Sequence, residues 1–197
     1  MRDHLSRRDF VRAGAAAGLG AALVPPFGRA QAPQQPSPLF TAPPLQRVRM
    51  GFVGIGGMGS VHLDNCVQLE GVEVKAVCDI VSEKVTRAQQ KVVRAGQPEP
   101  VGYDRGPRDF ERMCDEQELD LVLTATPWEW HVPVCLAALR TGKHAATEVP
   151  AAVTLDECWQ LGEAAERYRK HCVMLENCCY DRREMLMLNL VRQGVFG

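Results

Sequence analysis

Four glycines packed into six residues constrain this chain more than any other feature. Gly54-Ile55-Gly56-Gly57-Met58-Gly59 follows an apolar run, Val48 to Val53, that reads as a buried strand. A segment with Val61, Leu63, Cys66, Val67 and Leu69 comes next, apolar at roughly helical spacing. A second strand, Val72 to Cys78, ends on Asp79, twenty residues after Gly59. Strand, glycine turn, helix, strand and acid are the parts that dinucleotide binding asks for. Gly54 permits the tight turn, Gly56 lets backbone approach a pyrophosphate, and Gly59 lets helix and strand pack closely. The helix N-terminus offers free N–H groups to phosphates. A carboxylate at Asp79 accepts hydrogen bonds from a ribose diol and repels a 2′-phosphate, so NAD is favoured over NADP. The competing reading is a strand-to-helix turn with no ligand.

The remaining pattern alternates in the same way. Helices are expected over Ser82 to Ala95, with Ser82 as N-cap, over Arg108 to Cys114, and over Val132 to Arg140. Strands are expected at Val101 to Tyr103, Leu119 to Ala125, His144 to Glu148 and Cys172 to Glu176. Thr154-Leu155-Asp156-Glu157 is a capping box that opens a helix to about Arg169. A last helix runs from Arg182 to Gln193. The predicted fold is α/β, a doubly wound parallel sheet of the Rossmann dinucleotide-binding type.

Charge divides the chain. Residues 1–32 hold five arginines and two aspartates, +3; the rest holds 18 basic and 22 acidic residues, −4. A mildly acidic body leaves no footprint for nucleic acid. Ser6-Arg7-Arg8-Asp9-Phe10 is a twin-arginine pattern, Ala13 to Val24 is a short apolar stretch, and Ala30-Gln31-Ala32 fits a cleavage site. The expectation is an export signal over 1–32, read by the Tat machinery, with delivery to the periplasm or beyond. The other reading, a membrane anchor, has too few apolar residues to span a bilayer. Five prolines between Pro33 and Pro44 make 33–46 an extended linker, so the folded domain is expected over 47–197. Six of the eight cysteines fall inside predicted helices or strands, as expected of buried free thiols. Cys178-Cys179 lacks the C-x-x-C spacing of a zinc or redox site, and no metal site is expected.

Ligands of doubly wound sheets lie beyond the carboxyl ends of the strands. Three such ends carry candidates: Trp128-Glu129-Trp130-His131, Glu148-Val149-Pro150 and Glu176-Asn177. The glycine turn, Asp79, Ala125-Thr126-Pro127, Gly142-Lys143-His144 and Glu148-Val149-Pro150 together resemble the Gfo/Idh/MocA oxidoreductase family. The longer stretches, Thr126 to His131, Thr147 to Trp159 and Met174 to Asn177, resemble its glycoside hydrolase family 109 branch over about residues 46–197. That branch comprises NAD-dependent α-N-acetylgalactosaminidases. The resemblance implies a cofactor, NAD, recycled within each turnover. The sugar is oxidised at C3, eliminated across C2 and C1, hydrated at C1 and reduced again.

By the same resemblance Gly57 and Met58 touch the pyrophosphate and Asp79 the adenosine ribose. Trp128, Glu129, Trp130, His131, Glu148, Val149 and Asn177 line the nicotinamide half. The plain alternatives are core tryptophans, a helix-capping His131, a solvated Glu129 and a turn-closing Asn177. Val149 departs from the Glu-Lys-Pro of typical dehydrogenases in the wider family, whose lysine moves a proton at the sugar hydroxyl. The family's catalytic and substrate residues fall past residue 197, as does its α+β substrate domain. Three functions remain open: the glycosidase acting on a terminal N-acetylgalactosamine, an exported sugar oxidoreductase with tightly bound nucleotide, and a non-catalytic nucleotide-binding fragment. A homo-oligomer is also kept open.

Overall fold

The computed structural model describes residues 41–196. The export-signal reading over 1–32 and the linker up to residue 40 lie outside the described residues. Six parallel strands form one sheet in the order β3-β2-β1-β4-β5-β6. They are β1 (Val48–Val53), β2 (Val72–Cys78), β3 (Val101–Tyr103), β4 (Leu121–Thr124), β5 (His144–Thr147) and β6 (Cys172–Met174). The order reverses direction between β1 and β4, which pair with Val53 opposite Thr124. A crevice opens at such a point because the flanking connections leave in opposite directions.

Six α-helices cover the sheet: α1 (Gly57–Cys66), α2 (Ser82–Arg94), α3 (Asp109–Glu116), α4 (His131–Arg140), α5 (Leu155–Tyr168) and α6 (Arg182–Arg192). Two buried clusters lie on the two faces. One joins Phe52, Leu63, Val74, Val85 and Val92 with α1 and α2. The other joins Tyr103, Phe110, Met113, Val134, Leu139 and Leu161 with α3, α4 and α5. Burial on both faces is why Leu119 to Ala125 reads as an apolar run broken only by Asp120 and Thr124.

Several boundaries differ from the sequence reading. β4 is shorter than Leu119 to Ala125, although Ala125 N–H still donates to Val53 O at 2.9 Å. The segment Trp128–Trp130 is a 3₁₀ turn rather than open loop, and a second such turn covers Asn177–Tyr180. Val81, not Ser82, is the N-cap of α2. The reason lies just upstream, where Asp79 Oδ1 accepts the Val81 N–H at 3.0 Å and turns the chain by itself. Thr154 and Glu157 form the expected capping box on α5.

The cysteine reading needs a larger correction. Cys78, Cys114 and Cys135 are buried and Cys66 and Cys172 partly so, but Cys158, Cys178 and Cys179 are exposed. On α5 only Leu161 and Ala164 are buried, so Cys158 lies beyond the packed stretch. No residue of α6 is buried, and Met185, Leu186, Met187 and Leu188 are exposed along it.

An ion pair fixes the start of the β1–β4 pairing. Arg49 donates to Asp120 through its backbone N–H (2.8 Å), Nε (3.0 Å) and Nη2 (2.9 Å). The guanidinium holds the Asp120 carboxyl below the usual carboxylate range.

Candidate functional site

The glycine turn is built as its spacing demands. Gly54 has φ +82°, and a Cβ there would meet the Ala125 carbonyl oxygen at 2.8 Å. At Gly59 a Cβ would stand 1.9 Å from Gly54 O, so α1 crosses β1 in contact with its backbone. Gly56 and Gly57 have nothing within 4 Å of a Cβ position, so that stretch of backbone is bare. The N-cap of α1 is Gly56, which has no side chain to satisfy the first-turn amides. Those amides and the helix dipole are left for an anion.

Asp79 closes the other side. It is buried, and its Oδ2 accepts the Ile55 N–H at 2.7 Å. Lys84 Nζ lies 3.7 Å from Oδ1. The carboxylate therefore holds the glycine turn in place as well as marking the end of β2. Two backbone donors leave lone pairs free for a diol, since a carboxylate offers about four acceptor positions.

Between these groups lies a cavity of about 400 Å³ at the β1–β4 switch point. Gly54, Gly56, Asp79 and Lys84 form its polar wall, and Ile80, Pro107, Phe110, Pro127 and Trp130 form an apolar slot wide enough for a flat ring. Trp130 packs edge-to-face on Phe110, with centroids 6.0 Å apart. Asp109 fixes the loop at Gly106 and Pro107 by accepting the Arg105 N–H at 3.0 Å. Arg112, 2.8 Å from Asp109, lowers that carboxyl below its ordinary range and keeps it an acceptor. Cys78 also faces the cavity, and burial pushes its thiol up to about 12, aided by Asp109 and Asp79. It stays protonated at neutral pH and is no nucleophile.

The candidates on the far side of the turn fare unequally. Gly57 and Met58 are exposed at the start of α1. Trp130 lines the cavity, whereas Trp128 is 62% exposed and Glu129 is exposed. His131 is not a cap with a free ring. It is 1% exposed as the first residue of α4, with Nδ1 2.7 Å from Pro150 O and Nε2 2.9 Å from Thr126 O. Its ring ties the β4 loop to the β5 loop, so it shapes the site through those loops. Glu148 and Val149 follow β5, and Val149 is 40% exposed. Asn177 is exposed at the start of its 3₁₀ turn. Residue-by-residue reading missed two groups here, Lys84 and His62. Lys84 lies in the first turn of α2, where charged residues are ordinary. His62 lies on α1, and its Nε2 makes a very short contact with Glu148 Oε1. Only the fold brings these residues, 86 positions apart, together.

The glycine turn, the buried acid and the apolar slot fit a dinucleotide, and a comparison with known families agrees. Residues 48–176 match the model described as the oxidoreductase family with an NAD-binding Rossmann fold, Gfo/Idh/MocA. The chain belongs to the Gfo/Idh/MocA oxidoreductase family. NAD is the cofactor of that fold. Among curated relatives, the α-N-acetylgalactosaminidase of Bacteroides fragilis is 47% identical over 155 residues, covering 79% of this chain and 36% of that protein. A glycosyl hydrolase family 109 protein of Saccharopolyspora erythraea is 42% identical over 202 residues, covering 98% of this chain and 43% of its own length. The chain thus spans well under half of the relatives it matches. Among Gfo/Idh/MocA-like folds already solved is the WlbA dehydrogenase of Bordetella pertussis with NADH and UDP-GlcNAcA. It superposes with TM-score 0.68 at 20% identity, over 79% of this chain and 42% of that one. The scyllo-inositol dehydrogenase of Lactobacillus casei with NAD(H) and scyllo-inositol gives 0.66 at 21%, over 77% and 42%. At such identities the likeness is one of fold.

Proposed function

We propose that this chain is the nucleotide-binding part of an NAD-dependent glycosidase that hydrolyses terminal α-N-acetylgalactosaminides. The observation that carries the reading is Val149, exposed two residues past the end of β5. A valine has no proton to give or take. The position that serves as acid and base in a typical sugar dehydrogenase of the family is therefore chemically mute in this chain. The α-N-acetylgalactosaminidase of Bacteroides fragilis, 47% identical over the aligned residues, supports the same branch.

When bound, NAD supplies a two-electron acceptor that is restored in every cycle. The chain's own work is positioning. Gly56 and the first turn of α1 hold the pyrophosphate, Asp79 the adenosine ribose, and Trp130 with Phe110 closes the slot against water. The sugar is oxidised at C3, which acidifies its C2 proton, and the C1–oxygen bond breaks by elimination. Water then adds at C1 and C3 is reduced. Such a cycle needs no pair of glycosidic carboxylates. A self-restoring cofactor also suits export, because the twin-arginine route carries folded proteins. The export reading rests on residues 1–32 alone.

The full-length protein should release 4-nitrophenol from 4-nitrophenyl α-N-acetylgalactosaminide with no growth of the NADH absorbance band. Accumulating NADH without aglycone release would make it a sugar dehydrogenase instead.

A further inference from the structure

The helix that faces the pyrophosphate also reaches the other end of the cofactor site. His62, five residues into α1, contacts Glu148 Oε1 through Nε2, and the two side chains are only 22% and 18% exposed. The second carboxylate oxygen, Oε2, accepts the Val149 N–H at 3.2 Å. Glu148 is thus gripped at both oxygens, one from α1 and one from its own backbone. An ionised carboxylate only accepts, so the imidazole donates through Nε2–H. Without that donor, a glutamate with three rotatable bonds, at the end of an edge-side strand, is free to turn toward water.

We propose that His62 is a positioning residue: it holds the Glu148 carboxylate toward the nicotinamide end of the cofactor and so sets the preference for NAD+ over NADH. The proposal rests on the assignment of Glu148 and Val149 to the nicotinamide half. A fixed negative charge near the ring stabilises its cationic oxidised form over the neutral reduced one. For an enzyme that must restore its cofactor in each cycle, this balance matters more than affinity. Too strong a preference for either form would stall one half of the cycle. The His62–Glu148 contact also links the two ends of the site through one rigid helix. A shift of α1 at the phosphates would move the carboxylate at the ring.

The test is the ratio of NADH to NAD+ dissociation constants, measured on the whole chain by NADH fluorescence and by competition with NAD+. His62→Ala should lower the preference for NAD+ by about three- to tenfold, the scale of one partly screened charge interaction. Glu148→Gln should shift the ratio in the same direction by a similar factor, and the double variant should go no further. His62→Gln, which keeps a donor amide, should recover part of the preference, and it stands in if the alanine variant unfolds. A His62 that merely braces the fold would weaken both nucleotides equally. An unchanged ratio in His62→Ala with a shifted one in Glu148→Gln would overturn the proposal and leave the site assignment standing. Unchanged ratios in both would remove Glu148 from the nicotinamide half, and the proposal with it.

Discussion

Gly59→Ala is expected to cost this chain more than about 3 kcal/mol of stability, at the upper end of single-residue effects. The added methyl would stand 1.9 Å from Gly54 O and 2.9 Å from Gly54 C. Both are backbone atoms, so no side chain can swing aside. Gly54 itself cannot retreat, because its N–H donates to Cys78 O at 2.8 Å and its own Cβ position is closed by Ala125. Relief comes only by lifting α1 from β1, which opens the contact that buries Leu63 against the sheet. Nucleotide affinity should fall with it, since the amides of the first turn move too. Gly56→Ala makes the contrast. Its Cβ meets nothing within 4 Å, so the chain should fold normally while the methyl intrudes where the phosphates approach. Urea unfolding paired with NAD titration separates the two. A Gly59→Ala chain as stable as the parent would mean that α1 does not pack where it is placed.

Asp79→Ala should act on binding and stability together. Loss of the ribose acceptor should weaken NAD by about 1–3 kcal/mol, the range for hydrogen bonds to a charged group. The same change strands the buried Ile55 N–H and the Val81 N–H, each of which the carboxylate now accepts. An orphaned buried donor costs about 1–3 kcal/mol, so the melting temperature should drop as well. Discrimination should relax for two reasons: the charge that repels a 2′-phosphate is gone, and Lys84, 3.7 Å away, loses its partner. NADP should therefore gain while NAD loses. Calorimetry with both nucleotides reads this directly, and unchanged affinity for both would make Asp79 a purely structural residue.

The contrast between these sites shows what the sequence could reveal. The glycine turn and the Thr154 capping box are local devices, in which partners a few residues apart meet through backbone geometry. Their spacing alone announces their geometry. The parallel sheet was legible because apolar runs alternate with amphipathic helices. The dual duty of Asp79 was hidden, since its hold on Ile55 appears only when β1 and β2 lie side by side. His131 was read as a cap or a cofactor contact, yet its ring lies between two carbonyls brought together by neighbouring strands. Glu148 was read as a site residue, but its pairing with His62, 86 positions away, had no signal in one sequence. Helical spacing also overstated burial: Val61, counted on the apolar face of α1, is 49% exposed, and Leu69, counted with it, lies past the helix end at Cys66 and is 56% exposed. Periodicity reports which side of a helix is apolar, not how far along it the sheet extends.

The redox route to hydrolysis predicts a mark that no direct displacement leaves. Elimination requires removal of the C2 proton, and hydration returns a proton from solvent. Hydrolysis of an α-N-acetylgalactosaminide by the full-length protein in D2O should therefore place deuterium at C2 of the released sugar, visible by NMR. Displacement by a carboxylate pair never breaks the C2–H bond. Deuterium at C2, with no net NADH, is the result this account predicts; cleavage to a product with only hydrogen at C2 would contradict it.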